Sequence, residues 1–373
     1  MSLTLFCHRQ HNLRLLALQK DAADFVLFDA EDLEEKDTPE SIFYGRVQRV
    51  LGAFALIDIG LDRPGVLNNP LHLNEGDTFF VQIKRQSTPD AGEAAKGLLK
   101  KGAQLSLKIA LITPYFMYFP SQKGVSLSSS IEPEDGHFLL KDVESFIQNK
   151  DFGKIILRTK ALSCDADFIF NALIKTHEEW FSLSQNPTVG LIKKGRTQLE
   201  ILIDTYAPDA VYTDHIDDFH QASKAFAFIL QTPPVHYKQS DVFELSGAYE
   251  ALADMMTPWI SLPSGGQLLI EYTSTLVSID VNQGTCSSLK ILNEEAAKMI
   301  PTLFQTLQLG GNMIVDFAGN NDFRKRKKLL GILKPHLPKD VEICEWSPLG
   351  WLEIRRPKKR PYLKDILGPF LKY

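Results

Sequence analysis

The strongest constraint on the fold is a pair of short apolar runs that each lead to an aspartate, Asp280 in the first and Asp316 in the second. Both runs are rich in Val and Ile and are bounded by Gly, Ser or Asn, the pattern of short buried strands. Carboxylates on two neighbouring strands can hold Mg²⁺, which takes one or two carboxylates and leaves its other positions to water and phosphate oxygens. Aspartate is also common where a strand enters a turn, so the spacing alone leaves both interpretations open.

Composition predicts a globular protein of more than one domain. The chain has 373 residues, of which 44% are apolar, enough for a large core split between two or more domains. Apolar runs are too short to cross a membrane, and the N-terminus lacks the pattern of a secretory signal. The four cysteines are far apart in sequence, which favours reduced thiols in a cytoplasm and offers no zinc-binding pattern.

The charge distribution is uneven. The net charge is −5, yet residues 320–360 contain twelve Lys and Arg against five Asp and Glu. The basic residues cluster in two runs, 324–328 and 355–360. Such runs are often solvated helix faces. Because they follow Asp316, they could also attract a polyphosphate strand towards a Mg²⁺ site.

Periodicity divides the chain into four parts. Residues 40–118 alternate as a small OB-type barrel does, although a generic antiparallel β domain has the same pattern, and residues 87–102 are typical of a mobile loop. Residues 119–190 combine a strand with a helix. The last part, 259–373, predicts an α/β layer with a helix near 289–308 that Pro301 should kink or split. Further short strands are expected, including one over 200–204 between the barrel and this layer.

Four sequence blocks carry a family resemblance: Leu-Pro-Ser-Gly-Gly at 262–266, Ile-Asp-Val-Asn at 279–282, Asn-Glu-Glu-Ala-Ala at 293–297 and Gly-Gly-Asn-Met-Ile-Val-Asp-Phe at 310–317. In this order they resemble the nuclease core of the ribonuclease E/G family. Weaker likeness covers 44–60, which is similar to the family's S1 domain, and 155–159, which is similar to its RNA 5′-end sensor.

The resemblance implies an α/β multidomain fold. Residues 1–39 and 191–258 would together form a ribonuclease-H-like layer, and an S1/OB-type β-barrel (40–118) and a 5′-sensor region (119–190) would be inserted in it. A DNase-I-like catalytic domain would follow over 259–373.

The implied activity is that of a Mg²⁺-dependent endoribonuclease acting on single-stranded RNA, in rRNA processing or mRNA decay. Asp280 and Asp316 would hold the metal, and the Asn282 amide would orient the attacking water or the phosphate, although without the resemblance Asn282 could equally be a residue that ends the strand. Further residues that would bind RNA are Lys101, Arg158, Thr159, Arg324 and Arg326.

Departures from the family pattern limit what the resemblance implies. No pair of zinc-linking cysteines follows the last predicted strands before Tyr373, so we expect neither zinc nor the family's zinc-bridged dimer, but a monomer or a weak dimer. The barrel's two RNA-stacking aromatic positions are occupied by Leu56 and Val66, which should loosen the grip on RNA. A second arginine of the 5′-end sensor aligns with Pro348.

Two other functions remain open from sequence. The chain could be a catalytically idle RNA-binding or ribosome-associated factor of the same fold. It could also be an unrelated Mg²⁺ phosphohydrolase acting on small nucleotides. Asp280, Asn282 and Asp316 together argue against an idle binder, because paired carboxylates repel RNA phosphates unless a cation lies between them.

Overall fold

The computed structural model describes residues 2–22, 24–70, 72–89, 100–226, 234–273, 275–319 and 322–368, with the side chains of residues 88, 89, 100 and 101 left out. These residues form two compact units. The first lies within Met1–Glu35, Thr88–Lys101 and Thr197–Tyr373, and the second within Lys36–Ser87 and Gly102–Arg196.

Strands in the described chain are numbered in order. They are β1 Leu3–Gln10, β2 Leu13–Lys20, β3 Asp24–Asp32, β4 Ile42–Leu51, β5 Phe54–Asp58, β6 Gly65–Asn68, β7 Thr78–Arg85, β8 Thr88–Pro89, β9 Lys100–Lys101, β10 Gln104–Ser106, β11 Leu111–Ile112, β12 Phe116–Phe119, β13 Val125–Leu127, β14 Lys154–Leu157, β15 Gly190–Lys193, β16 Ala210–Thr213, β17 Val235–Tyr237, β18 Trp259–Ser261, β19 Gln267–Tyr272, β20 Leu276–Asn282, β21 Gly311–Asp316, β22 Glu342–Trp346 and β23 Leu352–Arg356.

Helices are numbered in the same way. They are α1 Pro133–Ile147, α2 Ala166–Leu183, α3 Gln198–Tyr206, α4 Ile216–Phe226, α5 Val242–Ser246, α6 Ala248–Met256, α7 Leu289–Thr306, α8 Phe323–Leu333 and α9 Leu363–Leu367. None of the described helices is long and apolar enough to cross a membrane.

The second unit contains a closed barrel. Strands β4, β5, β6, β10 and β7 follow one another, and β7 pairs back onto β4, so five strands complete the ring. Closure leaves no unpaired edge within the ring, and the inward side chains of alternating residues fill the interior, among them Phe43, Ala55, Ile57 and Val81. The predicted OB-like barrel is therefore confirmed. The same unit contains a four-stranded sheet in the order β11-β12-β14-β13, packed with α1 and α2.

One sheet of the first unit is buried on both faces. Its order is β17-β16-β1-β2-β3, and six consecutive residues of the interior strand β2 are buried. Leu16 and Leu18 pack with α3 and α4 on one face, whereas Leu15 and Ala17 pack with α5, α6 and α9 on the other. Side chains alternate along a strand, so a central strand covered by helices on both sides reads as a continuous apolar run.

A buried ion cluster ties this sheet to α4. The carboxylate of Asp218, which is fully buried, accepts hydrogen bonds from both Arg9 and Arg14, with 3.1 Å from Arg14 Nε to Asp218 Oδ1. Arg14 is only 2% exposed and also donates to Glu31 Oε1 at 2.6 Å. Burial favours the neutral acid, but the two guanidinium groups outweigh it and lower the pKa of Asp218.

The prediction of a strand over 200–204 is wrong, because this segment is part of helix α3. Thr197 and Glu200 form a capping box at its N-terminus, with 2.8 Å from Thr197 N to Glu200 Oε2. The buried residues Leu199, Leu202 and Ile203 recur at helical spacing. Local capping and a helical stripe therefore outweigh the short β-like run of Ile and Leu.

The other sheet of the first unit is one-sided. Its order is β18-β19-β20-β21-β23-β22, and its buried face packs on α7 and α8. Pro301 was expected to kink or split helix α7, and the helix is not split, because it is continuous from Leu289 to Thr306. The opposite face of this sheet carries Asp280, Asn282 and Asp316.

Candidate active site

The two aspartates lie side by side on the sheet face turned away from α7 and α8. Strands β20 and β21 are parallel, and Asp280 is paired in register with Asp316. In β20, Val277, Ile279 and Val281 are buried against the helices, so the alternating residue Asp280 faces the other way. Asp316 likewise alternates with the buried Val315 and is exposed. Neighbouring strands lie about 4.7–4.9 Å apart, which brings both carboxylates to one place.

Asn282 adds a neutral amide to the same place. Its Nδ2 donates a hydrogen bond to Asp280 Oδ2 at 2.9 Å. Two residues apart on one strand, the two side chains point to the same face, as alternation requires. The amide fixes the orientation of the Asp280 carboxylate without adding charge.

Trp351 is a member of the site that the sequence did not reveal. It lies immediately before β23, which is antiparallel to β21, and Val315 is paired with Leu352. The indole Nε1 of Trp351 donates to Asp316 Oδ2 at 3.0 Å. Asp280 and Asp316 are thus each held by one hydrogen-bond donor from a neighbouring side chain. Only the pairing of β21 with β23, which joins distant parts of the chain, places this tryptophan beside the aspartate.

Helix α7 fixes the two loops that flank the aspartates. The buried Asn293 side chain makes two hydrogen bonds with the backbone of Ala318, from Nδ2 to the carbonyl at 2.8 Å and from the Ala318 amide to Oδ1 at 3.1 Å. Glu295 Oε2 accepts from the amide of Ser264 at 3.0 Å, which ties the turn before β19 to the same helix. The Asn-Glu-Glu-Ala-Ala block therefore acts as a clamp behind the sheet.

The first basic run supplies the positive charge near Asp316. Helix α8 starts at Phe323, shortly after β21, and carries Arg324, Lys325, Arg326, Lys327 and Lys328 in its first two turns. The guanidinium of Arg326 lies 5.0 Å from the centre of the Trp346 ring, and Lys328 Nζ lies 2.7 Å from Glu294 Oε1. The exposed side chain of Arg324 faces solvent.

The second basic run is largely structural. Arg355 pairs with Glu342 at 2.8 Å and Arg356 with Asp340 at 3.0 Å. Arg360 pairs with Asp29 at 2.7 Å. Burial raises the pKa of the Asp29 carboxyl, and this effect outweighs the lowering by Arg360. Three of the five basic residues in this run are therefore paired with acidic side chains.

The other predicted RNA contacts lie elsewhere. The side chain of Lys101 lies outside the described residues, and most of the predicted mobile loop also does. Arg158 and Thr159 belong to the second unit, at the end of β14 and the start of a short 3₁₀ helix. Arg158 Nη1 donates to the carbonyl of Thr113 at 2.6 Å, and Thr159 is exposed.

A second polar cluster, in the five-stranded sheet, was also missed from sequence. Ligand atoms of His8, Asp214 and Asp241 lie within 4.8 Å of one another, the one such grouping of His, Cys, Asp or Glu found in the described chain. His8 Nδ1 lies 2.6 Å from Asp214 Oδ2. Burial lowers the pKa of His8, but the hydrogen bond and charge of Asp214 and the charge of Asp241 outweigh it and raise this pKa overall.

Hydrogen bonds already occupy the oxygens of this cluster. The Asp241 carboxylate accepts from the amide of Phe243 at 2.8 Å and from the hydroxyl of Tyr249 at 2.9 Å. Asp214 accepts from the amides of Arg9 and Val242, each at 3.2 Å. An imidazole held between two carboxylates explains this geometry without an added cation, so we interpret the cluster as structural.

The donor set at Asp280 and Asp316 suits a hard divalent cation. Carboxylate and amide oxygens are the ligands that Mg²⁺ takes from proteins, and an open sheet face leaves its other positions to water and phosphate. A sequence model of the Ribonuclease E/G family matches residues 110–359, which include both aspartates and well over half of the chain. The chain belongs to the ribonuclease E/G family.

Ribonuclease E/G relatives align with most of the chain at low identity. It is 26% identical over 367 residues to Ribonuclease G of Haemophilus influenzae, an alignment that covers 88% of this chain and 74% of the relative. Ribonuclease G of Salmonella typhimurium is 25% identical over 362 residues with the same coverage. Ribonuclease E of Synechocystis is 23% identical over 323 residues, which cover 79% of this chain and 46% of the relative.

Proposed function

We propose that this protein is a Mg²⁺-dependent endoribonuclease that hydrolyses phosphodiester bonds in single-stranded RNA. The observation that carries the proposal is the in-register pair of Asp280 and Asp316 on the sheet face turned away from α7 and α8. Membership of the ribonuclease E/G family supports a ribonuclease. An idle RNA binder would gain nothing from two carboxylates facing phosphate.

The roles of the residues follow from their contacts. Asp280 and Asp316 would hold the cation, which when bound supplies charge to the phosphate and makes a water more acidic. Asn282 and Trp351 keep the two carboxylates oriented through their N–H groups. Water attacks the phosphorus, the bond to one ribose oxygen breaks, and that oxygen takes up a proton. The cations of α8 attract the strand and offset its negative charge.

The substrate class separates this proposal from the alternative of a small-nucleotide phosphohydrolase. Purified protein should cut a labelled single-stranded RNA internally, and annealing of the complementary strand should slow the cut. Release of phosphate from nucleotides without cleavage of RNA would contradict the proposal. The free cysteines among the described residues suit the reducing cytoplasm in which we place RNA processing or decay.

Replacement of Trp351 by Phe should lower the cleavage rate about fivefold and raise the Mg²⁺ concentration needed for half-maximal activity. One hydrogen bond to an exposed carboxylate such as that of Asp316 is worth about 1 kcal/mol, which corresponds to that factor. Trp346→Phe is the matched control, because the buried indole N–H of Trp346 has no acceptor among the described residues. An unchanged Mg²⁺ dependence in Trp351→Phe would show that this indole does not support the site.

Cleavage should depend little on the chemical state of the RNA 5′ end. In the family a monophosphate is gripped by an Arg-Thr pair, here Arg158 and Thr159, together with a second arginine that aligns with Pro348. Loss of one charge-assisted contact costs roughly 1.5–3 kcal/mol, enough to remove most of a ten- to hundredfold preference. The measurement is the initial rate on three otherwise identical RNAs that start with a monophosphate, a triphosphate or a hydroxyl. A monophosphate advantage above about tenfold would show a working sensor.

A further inference from the structure

A pocket lies between α7, α8 and the loop that follows β21. Its volume is about 190 Å³, below the range of roughly 300–1,000 Å³ that holds a drug-sized ligand, so it suits a smaller group such as a single ring system. We call it the α7–α8 pocket. Residues of its apolar wall are Leu289, Ala318, Gly319 and Leu329.

The pocket wall is fixed relative to Asp316. Ala318 and Gly319 follow Asp316 by two and three residues, so their Cα atoms lie within about 11 Å of the Asp316 Cα. The paired hydrogen bonds between Asn293 and Ala318 hold this loop against α7. Gly319 has φ +60°, and a Cβ at this position would lie 2.9 Å from Leu289 Cδ1. The loop therefore packs directly against the first residue of α7. The wall and the aspartate therefore belong to one rigid segment.

Charged groups surround the apolar wall. Lys290, Lys325 and Lys328 line the pocket with a single acid, Glu294. Lys328 lies 2.7 Å from Glu294 and lowers the pKa of that carboxyl, so Glu294 is an acceptor at neutral pH. Lys290 and Lys325 are exposed at the rim. An apolar slot with a cationic rim complements a flat ring on a polyanionic backbone.

Core packing alone does not explain this surface. Leu289 remains 39% exposed at the first position of α7, although it faces the loop. The barrel positions that stack bases in the family are Leu56 and Val66 here, so an aromatic grip on RNA is lacking at these two positions. A base held in the α7–α8 pocket would supply binding energy that those positions do not.

We propose that the α7–α8 pocket holds one nucleobase of the RNA strand close to the scissile phosphodiester, while Lys290 and Lys325 bind the adjoining phosphates. The inference rests on the proposed function only in that RNA reaches Asp280 and Asp316. A base in the pocket is sequence-tolerant, since every base has an apolar face, and Glu294 can accept from a base N–H group.

The test is a binding measurement that needs no cleavage. Short single-stranded RNAs with a 3′ fluorophore, each with one abasic ribose at a successive position, are titrated with protein in EDTA and read by fluorescence anisotropy. For the wild type, removal of one particular base should weaken binding roughly tenfold, because the apolar contact of that base with the pocket wall is lost. Leu289→Trp fills the pocket, so this variant should bind intact RNA about as weakly as the wild type binds that abasic RNA. Removal of the base at that position should then no longer change the affinity of the variant.

Two further variants make the result specific. Ile291→Trp is the matched control, because Ile291 is 50% exposed near the start of the same helix and does not line the pocket, so it should behave as the wild type. Lys325→Gln should weaken binding of every RNA and reduce the slope of log affinity against log salt by about 1. Circular dichroism and thermal unfolding check that each variant is folded.

The outcomes separate this inference from the proposed function. The pocket does not hold a base if wild-type affinity is the same for every abasic RNA. It also does not hold a base if the affinity of Leu289→Trp is still lowered by the same abasic position as that of the wild type, whether or not this variant binds RNA more tightly. Base-dependent binding by a protein that never cleaves RNA would overturn the nuclease proposal and leave the pocket standing. Cleavage of RNA by a protein whose binding depends on no single base would overturn the pocket inference and leave the nuclease proposal standing.

Discussion

Asp280→Asn and Asp316→Asn should each reduce RNA cleavage by about a thousandfold or more while leaving RNA affinity within a few-fold of the wild type. Each substitution removes a negative ligand from a site in which two carboxylates, paired in register, are assigned to one cation. A thousandfold loss corresponds to about 4 kcal/mol of transition-state stabilisation. The measurement is the initial cleavage rate under excess enzyme, with affinity measured in EDTA.

Glu271→Gln is the matched control for these variants. Glu271 lies on β19 opposite Ser278, is exposed and alternates with the buried Ile270, so it shares the sheet face of Asp280. It should keep nearly full activity. Near wild-type cleavage by either aspartate variant would refute the metal assignment, and an equal loss in Glu271→Gln would show that negative charge on the face matters more than the paired ligands.

Asp218→Asn should destabilise the first unit by about 3–5 kcal/mol at neutral pH. Asp218 is fully buried and accepts from both Arg9 and Arg14, so its neutralisation leaves Arg14 paired with Glu31 and Arg9 paired with the exposed Asp217. Removal of one partner of a buried ion pair typically costs this much. Urea unfolding of both proteins at pH 7 measures the difference.

The destabilisation caused by Asp218→Asn should depend on pH in one direction. The folded-state pKa of Asp218 is lowered from 3.8, so its stabilisation is present above pH 3.8 and is lost as the pH falls through the folded-state pKa. The gap between the wild type and Asp218→Asn should therefore be constant from neutral pH down to about pH 5 and narrow in stronger acid. Asp217→Asn is the control, because Asp217 is adjacent to Asp218 in sequence and its side chain is 70% exposed. A cost below 1 kcal/mol for Asp218→Asn would contradict the account of the cluster.

Sequence reasoning succeeds where information is local. Alternation along 276–282 was enough to place Asp280 and Asn282 on one face, and the structure joins them by a hydrogen bond. The helix near 289–308 and the short strands over 40–118 also follow from short-range periodicity, whereas closure of the barrel depends on the pairing of β4 with β7. Over 200–204, in contrast, the β-like composition misled because the capping box at Thr197 starts a helix.

What sequence reasoning missed depends on contacts between distant residues. Trp351 reaches Asp316 only through the antiparallel pairing of β21 with β23. His8 and Asp214 are 206 residues apart and meet because β1 lies beside β16 in the sheet. The partners of the second basic run were equally hidden, since Arg360 pairs with Asp29 from the other end of the chain. No motif encodes such pairings.

The most direct test of the central claim is cleavage of one labelled single-stranded RNA by purified protein with Mg²⁺, with EDTA, and with Mg²⁺ restored after EDTA. The account predicts internal cuts with Mg²⁺, none with EDTA and recovery when Mg²⁺ returns, with Asp280→Asn inactive throughout. Cleavage that persists undiminished in EDTA, or RNA that is bound and left intact in all three conditions, would contradict it.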